Sequence, residues 1–313
     1  MADAAAQWGI ARGDTTSQLG FRTSGQCFNE MNRILDTRIL TFAVLIALWA
    51  AGEAANIEPP QPSQLPSLAV PYAVATPVLE AGRDDASWNS AAVIQNLPLS
   101  LEPESKELKP FPTEVRLLWN EKFLYVRFIC WGGDSYSPFD GRDAPHYLGD
   151  VVEIFLDPKG DSRQYFELQV SPRNSVFDQT ILLTSEPWSD KYLRLVDEVR
   201  LRDFWAFPIW NMEGLRTATS RLQTNGAESG WIADLAIPAK ATLKRLGLQS
   251  FEPMMLRANL LRYDWVKTND PKQPRRLVSM NWSPVLYGNP HTSPRAMGYL
   301  KLMPKSLPDA EKR

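Results

Sequence analysis

Glu153 and Glu167 each stand in a dense apolar run, residues 151–156 (VVEIFL) and 165–170 (YFELQV). Paired carboxylates at a fixed separation hydrolyse glycosidic bonds. The same groups on a half-solvated sheet bind hydroxyls without reacting. If the two runs pair as neighbouring strands, both carboxylates can face one concave surface. Strand positions alone do not identify an acid/base pair, which favours a binding module over an enzyme. Asp134, Asp140, Asp143 and Asp150 are oxygen donors in a loop-rich stretch, the kind of ligand that calcium takes. Their spacing fits no EF-hand loop, and solvated loop aspartates are the alternative. Other chemistries lack their signatures. There is no Gly-x-Ser-x-Gly elbow, and neither histidine has a recognisable triad partner. Phosphate loops, dinucleotide fingerprints and zinc spacings are absent from the sequence.

The elements that must position these residues have a period of two. Val115, Leu117 and Trp119 alternate with Glu114, Arg116 and Leu118. After the polar turn Asn120-Glu121-Lys122, the residues Leu124, Val126, Phe128 and Cys130 alternate with Tyr125, Arg127 and Ile129. Two such runs around a short turn predict an antiparallel hairpin. In residues 165–170, Phe166, Leu168 and Val170 share one face, and Tyr165, Glu167 and Gln169 the other. Residues 231–237, 255–261 and 298–303 read as further strands, and residues 239–246 as a short helix. The fold class is therefore all-β: a single antiparallel β-sandwich, jelly-roll or immunoglobulin-like, with one or two short helices. Residues 186–226 resist assignment and read as a long, Trp-rich insertion.

Composition narrows the class of partner. The chain has 313 residues, with 34 Lys+Arg against 36 Asp+Glu, a balance that points away from nucleic acid. Two cysteines make no disulfide scaffold, and Cys130, in its apolar alternation, reads as a small buried hydrophobe. The run at residues 39–51 (ILTFAVLIALWAA) follows Arg33 and Arg38 and precedes Gly52-Glu53-Ala54. It has the length and flanks of a signal-peptide core and is too short for a span. The expected organisation is an over-extended start at 1–30, a signal peptide at 31–54, a Pro-rich spacer at 55–77, the sandwich at 78–303 and a polar tail at 304–313. The mature chain would be exported to the periplasm or outside, without a membrane span, as a monomer.

Three segments in order carry a resemblance: Asp84-Asp85-Ala86-Ser87-Trp88, then Leu118-Trp119-Asn120-Glu121-Lys122-Phe123-Leu124-Tyr125-Val126, then Gly149-Asp150-Val151-Val152-Glu153-Ile154-Phe155-Leu156-Asp157. They resemble the family 9 carbohydrate-binding modules, whose pattern is Asp-x-x-Trp, Trp-Asp-x-x-Tyr-Leu-Tyr-Val and Asp-Ser-Val-Glu-Ile-Phe-Asp. Gly230-Trp231-Ile232-Ala233-Asp234-Leu235-Ala236-Ile237-Pro238 and Met297-Gly298-Tyr299-Leu300 also match, so the likeness covers about residues 78–303. The resemblance implies a β-sandwich that binds sugars, often at the end of a polysaccharide chain. It also implies structural calcium and association with a secreted glycoside hydrolase such as a xylanase.

In the family, two tryptophans sandwich the terminal sugar. Tyr147 and His291 stand at those positions here, so both platforms keep a flat ring of smaller area. Glu153 falls on the family's strand glutamate and Asn259 on its asparagine. Glu167 stands roughly where the family has an arginine, and Arg257 has no firm match. The expected ligand site is thus Tyr147, His291, Glu153, Glu167, Asn259 and Arg257, the last four taking hydroxyls. Three rival readings stand beside it. One is a non-covalent haem held by His146 or His291 with Met297. Another is a glycosidase using Glu153 and Glu167. The third is a structural envelope protein without a ligand.

Overall fold

The computed structural model describes residues 62–100, 108–183, 204–270, 272–285 and 290–305. The expected signal segment and its apolar run lie outside them. So do most of the tail and residues 186–203 of the expected insertion.

The described residues build two sheets. In spatial order, the five-stranded sheet is β2 (Ala92–Gln95), β3 (Thr113–Trp119), β4 (Phe123–Trp131), β10 (Ala227–Pro238) and β9 (Arg216–Thr224). The eight-stranded sheet runs β1 (Ser67–Val70), β13 (Gly298–Leu302), β11 (Met255–Val266), β5 (Val151–Asp157), β6 (Gln164–Val170), β7 (Val176–Leu183) and β8 (Phe204–Phe207). β12 (Arg276–Asn281) pairs with the C-terminal half of β11. β1 and β13 are parallel, and the other strand pairs are antiparallel. The expected all-β sandwich is what the chain forms. The expected helix is a single turn, Ala239–Thr242, followed by the 3-10 turn Lys244–Leu246.

Local chemistry explains the elements. Asn120 closes the β3–β4 hairpin because its Oδ1 accepts the backbone N–H groups of Lys122 at 3.0 Å and Phe123 at 2.9 Å. The inward residues of both sheets, among them Leu117, Val126, Ile154, Leu168, Leu235 and Leu260, form one core. Cys130 lies fully inside it, and burial pushes its thiol up to about 12, which leaves it an inert apolar filler.

Residues 151–156 read as a continuous apolar run because β5 is buried on both faces. Val152, Ile154 and Leu156 enter the main core. Val151 and Phe155 join Tyr165, Leu261, Val285 and Met297 in a second cluster on the outer face of the eight-stranded sheet.

Two expectations differ from the structure. The Pro-rich stretch read as a spacer contributes β1, four residues between Pro66 and Pro71 that pair with the last strand. Prolines bound this strand without interrupting it, as befits an edge. Part of the stretch read as an insertion is β9, a full partner of β10.

Candidate functional site

β5, β6 and β7 place the polar floor of the site on the outer face of the eight-stranded sheet. Glu153 pairs across to Gln169, and Glu167 pairs with Phe155 on one side and Gln179 on the other. Cross-strand partners share a face, so Glu153, Glu167, Gln169 and Gln179 lie together. Glu153 and Glu167 are diagonal neighbours, which sets their Cβ atoms about 7–8 Å apart. Both are almost fully buried, at 2% and 3% exposure.

Burial in a shared site drives the two carboxyls apart. Burial and the nearby Glu167 charge push Glu153 well above the usual carboxylate range. Burial alone would raise Glu167 too. The adjacent His291 and hydrogen bonds from His291, Gln179 and Gln169 outweigh it and hold Glu167 below its ordinary value. The Gln169 amide donates to Glu167 Oε1 and the Gln179 amide to Oε2. Among the described residues, Glu153 Oε1 and Gln169 Oε1 are buried acceptors without a hydrogen-bond partner.

Two rings border this floor. His291, in the 3-10 turn Pro290–Thr292, packs edge-on against Phe155 at 5.1 Å and nearly parallel to Tyr165 at 6.0 Å. Its Nε2 lies 3.2 Å from Glu167 Oε2, and its Nδ1 shares a 2.9 Å hydrogen bond with the Tyr165 hydroxyl. Tyr147, in the turn His146–Leu148, meets Phe177 edge to face at 6.5 Å, beside Gln169. It is 40% exposed, and burial of its other part together with the Glu167 charge raises its phenol.

The loops that carry the rings are anchored from the strands. Asp150 accepts the backbone N–H groups of Tyr136 and Trp265, each at 2.7 Å, and the Trp265 indole donates to the Tyr147 carbonyl at 2.9 Å. Gly149 is needed at this junction, because a Cβ there would stand 2.9 Å from the Tyr136 carbonyl and 2.7 Å from Pro138. On the other side, Asn259 donates to the Ser283 carbonyl at 3.0 Å and accepts from the Ser283 N–H at 2.8 Å. Arg257 donates to the carbonyls of Arg295 at 2.7 Å and Met297 at 3.0 Å. The structure therefore sets Asn259 and Arg257 as clamps on the loop that presents His291. Tyr147, His291, Glu153 and Glu167 are brought together around one floor. Gln169 and Gln179 complete that floor. Gln169 already shared a face with Glu167 in the sequence pattern, whereas Gln179 lay in a strand that the pattern did not reveal.

The remaining candidates are distributed elsewhere. Asp134 pairs with Arg275 at 2.7 Å and Lys267 at 3.1 Å, which hold its carboxyl down to about 2. Asp140 pairs with Arg173 at 2.8 Å. Burial, with Asp264 close by, raises Asp150 to about 7. Among the described residues, no three metal-ligating side chains converge on one point. His146 is buried with Nε2 2.9 Å from the Gly141 carbonyl, and burial lowers its imidazole. Met297 belongs to the second apolar cluster. No helix among the described residues is long and apolar enough to cross a membrane.

Comparison with known proteins agrees with this architecture. Residues 81–196 match the model of a family described as Carbohydrate family 9 binding domain-like. A carbohydrate-binding candidate from Bacteroides uniformis superposes with a TM-score of 0.54 at 16% identity, over 76% of this chain and 99% of its own. A family 9 carbohydrate-binding module from Caldicellulosiruptor kristjanssonii, solved with cellotriose, gives a TM-score of 0.50 at 19% identity, over 77% of this chain and 95% of its own. A family 9 module from the same organism, solved with glucose, gives a TM-score of 0.50 at 19% identity, over 77% of this chain and 97% of its own. These likenesses bear out the fold and the resemblance read from the sequence. None of the curated proteins matches the chain.

Proposed function

From a two-sheet sandwich whose residues 81–196 carry the family 9 carbohydrate-binding pattern, we propose that this chain binds a glycan in the cleft between Tyr147 and His291. The observation that carries the reading is the pair of unpartnered acceptors on the floor, Glu153 Oε1 and Gln169 Oε1. Sugar hydroxyls are donors, and leaving buried acceptors unpaired costs about 1–3 kcal/mol each. A hydroxylated ring with apolar C–H faces supplies hydroxyls for the floor and a surface for the two aromatic walls. The C. kristjanssonii modules, solved with cellotriose and glucose, support this class of ligand.

The floor between the two rings spans only Tyr165 to Gln169, about 13 Å of strand. That length suits one or two sugar units, hence the end of a chain. Affinity is modest, because the platforms are smaller than tryptophan and hydroxyl hydrogen bonds largely exchange with water. The protein is exported through residues 31–54, acts as a monomer and supports recognition of a polysaccharide during its breakdown by a separate hydrolase. Calorimetric titration with glucose and cellotriose, alongside a glycan array, tests the reading. Saturable heat that Tyr147→Ala abolishes is the expected result. Silence across the array would overturn it.

A further inference from the structure

A cavity of about 520 Å³ opens on the five-stranded sheet, on the face turned away from the core. The Tyr147–His291 cleft belongs to the other sheet. This volume lies within the range of about 300–1,000 Å³ common for small-ligand pockets. Its floor is a cross-strand row in register, Tyr125 of β4, Ala236 of β10 and Arg216 of β9. Phe123, two residues before Tyr125, extends the row on the same face. Thr76, Pro77 and Leu79 wall it from the N-terminal segment.

The lining is unbalanced in charge. Arg216 and Lys122 line the cavity, and no carboxylate does. The Arg216 guanidinium sits 5.0 Å from the Phe123 ring centre. No carboxylate among the described residues pairs with it. A second arginine on the same sheet face is treated differently. Arg127 is bonded twice to Asp234, at 2.6 and 2.8 Å, and roofed by Trp88 at 4.6 Å. One cation is neutralised inside the protein, whereas the one facing the cavity rests on a ring with its fork unpaired. A planar guanidinium held on an aromatic ring matches a carboxylate in geometry. The space is too large for a bare carboxylate. Its other surfaces, the Thr76 side chain beside Pro77, Leu79 and Ala236, suit a ring bearing hydroxyls.

We propose that this cavity is a second ligand site, for a sugar acid whose carboxylate binds Arg216 and whose ring lies against Pro77, Leu79 and Ala236. Lys122 at the rim adds attraction, so binding weakens with salt. The site is independent of the cleft on the other sheet.

The test is a titration of the full chain with galacturonate, with glucose and acetate as comparison probes, followed by calorimetry and by backbone amide resonances. Galacturonate is expected to shift Tyr125, Arg216 and Ala236, and Arg216→Ala to weaken it about tenfold. Arg216 is exposed, so the variant folds. Acetate binding as tightly as galacturonate, an unchanged affinity in Arg216→Ala, or the absence of any galacturonate binding would each overturn the proposal. Shifts confined to Glu167 and Gln169 would overturn it as well, by assigning the sugar acid to the other cleft. A chain that takes galacturonate at Arg216 but neither glucose nor cellotriose would keep this proposal and remove the other.

Discussion

His291 Nε2 and Glu167 Oε2 meet at 3.2 Å, joining a loop after β12 to the centre of β6. The contact links three features of the site. It fixes one aromatic wall, it holds the Glu167 carboxyl below its ordinary value despite burial, and the Glu167 charge adds to the burial that raises Glu153. A wall residue is therefore also part of the electrostatic support of the floor.

His291→Ala is accordingly expected to do two things at once. It removes the ring that faces a sugar, and it leaves Glu167 with only its two glutamine donors. Breaking a buried pair from one side costs about 3–5 kcal/mol. His291 retains 16% exposure, so a loss of about 1–3 kcal/mol is expected here. Denaturant melts and calorimetry on one preparation should show lost stability and lost glycan binding together.

Tyr147→Ala should separate the two effects. The side chain is 40% exposed, and among the described residues its ring contact is with Phe177. Binding should vanish while stability falls by less than about 1 kcal/mol. A melt lowered as far as that of His291→Ala would show that Tyr147 is a structural cap and not a platform.

Glu153 carries a pH signature. Its folded-state carboxyl lies well above the ordinary value of 4.5, so its contribution is full below that value and is lost as pH rises through the folded value. Each unit of elevation is worth about 1.4 kcal/mol. Glu167 has the opposite sign, since a lowered carboxyl stabilises at higher pH and loses this as pH falls. In Glu153→Gln the first component disappears. The melting difference between variant and wild type should therefore grow in the variant's favour as pH rises above about 4.5. A difference that stays constant with pH would show that folding does not raise the Glu153 carboxyl.

The parts of this site that were legible in the sequence share one cause. A strand with one polar face writes its period into the chain, so the hairpin at Asn120 and the shared face of Glu167 and Gln169 could be read directly. β9 could not, because Arg216, Ala218 and Ser220 alternate with Thr217, Thr219 and Arg221, and neither set is apolar. β1 was hidden by its flanking prolines, whose effect on a short edge strand is to bound it. The true partners of Asn259 and Arg257 were hidden for another reason. Both side chains point from a regular strand to carbonyls of an irregular loop, and loop carbonyls leave no trace in residue type. An asparagine and an arginine on a polar sheet face look the same whether they hold a sugar or a loop.

That distinction gives the last prediction. If Asn259 clamps the loop, Asn259→Ala strands the Ser283 N–H and carbonyl in a buried setting, at a cost of about 1–3 kcal/mol. The Ser283 amide should then exchange with solvent much faster in native conditions, because its protecting acceptor is gone. Glycan affinity should fall through looser presentation of His291, and a ligand lacking any one hydroxyl should lose the same factor on the variant as on the wild type. A hydroxyl that matters to the wild type and not to Asn259→Ala would instead mark a direct bond from that hydroxyl to Asn259. The Arg257→Met variant, which keeps the stem over Tyr299 and deletes the donors to Met297, should reproduce the exchange pattern around Met297. Fast exchange confined to the loop, with the strands still protected, is the signature that separates a clamp from a general loss of fold.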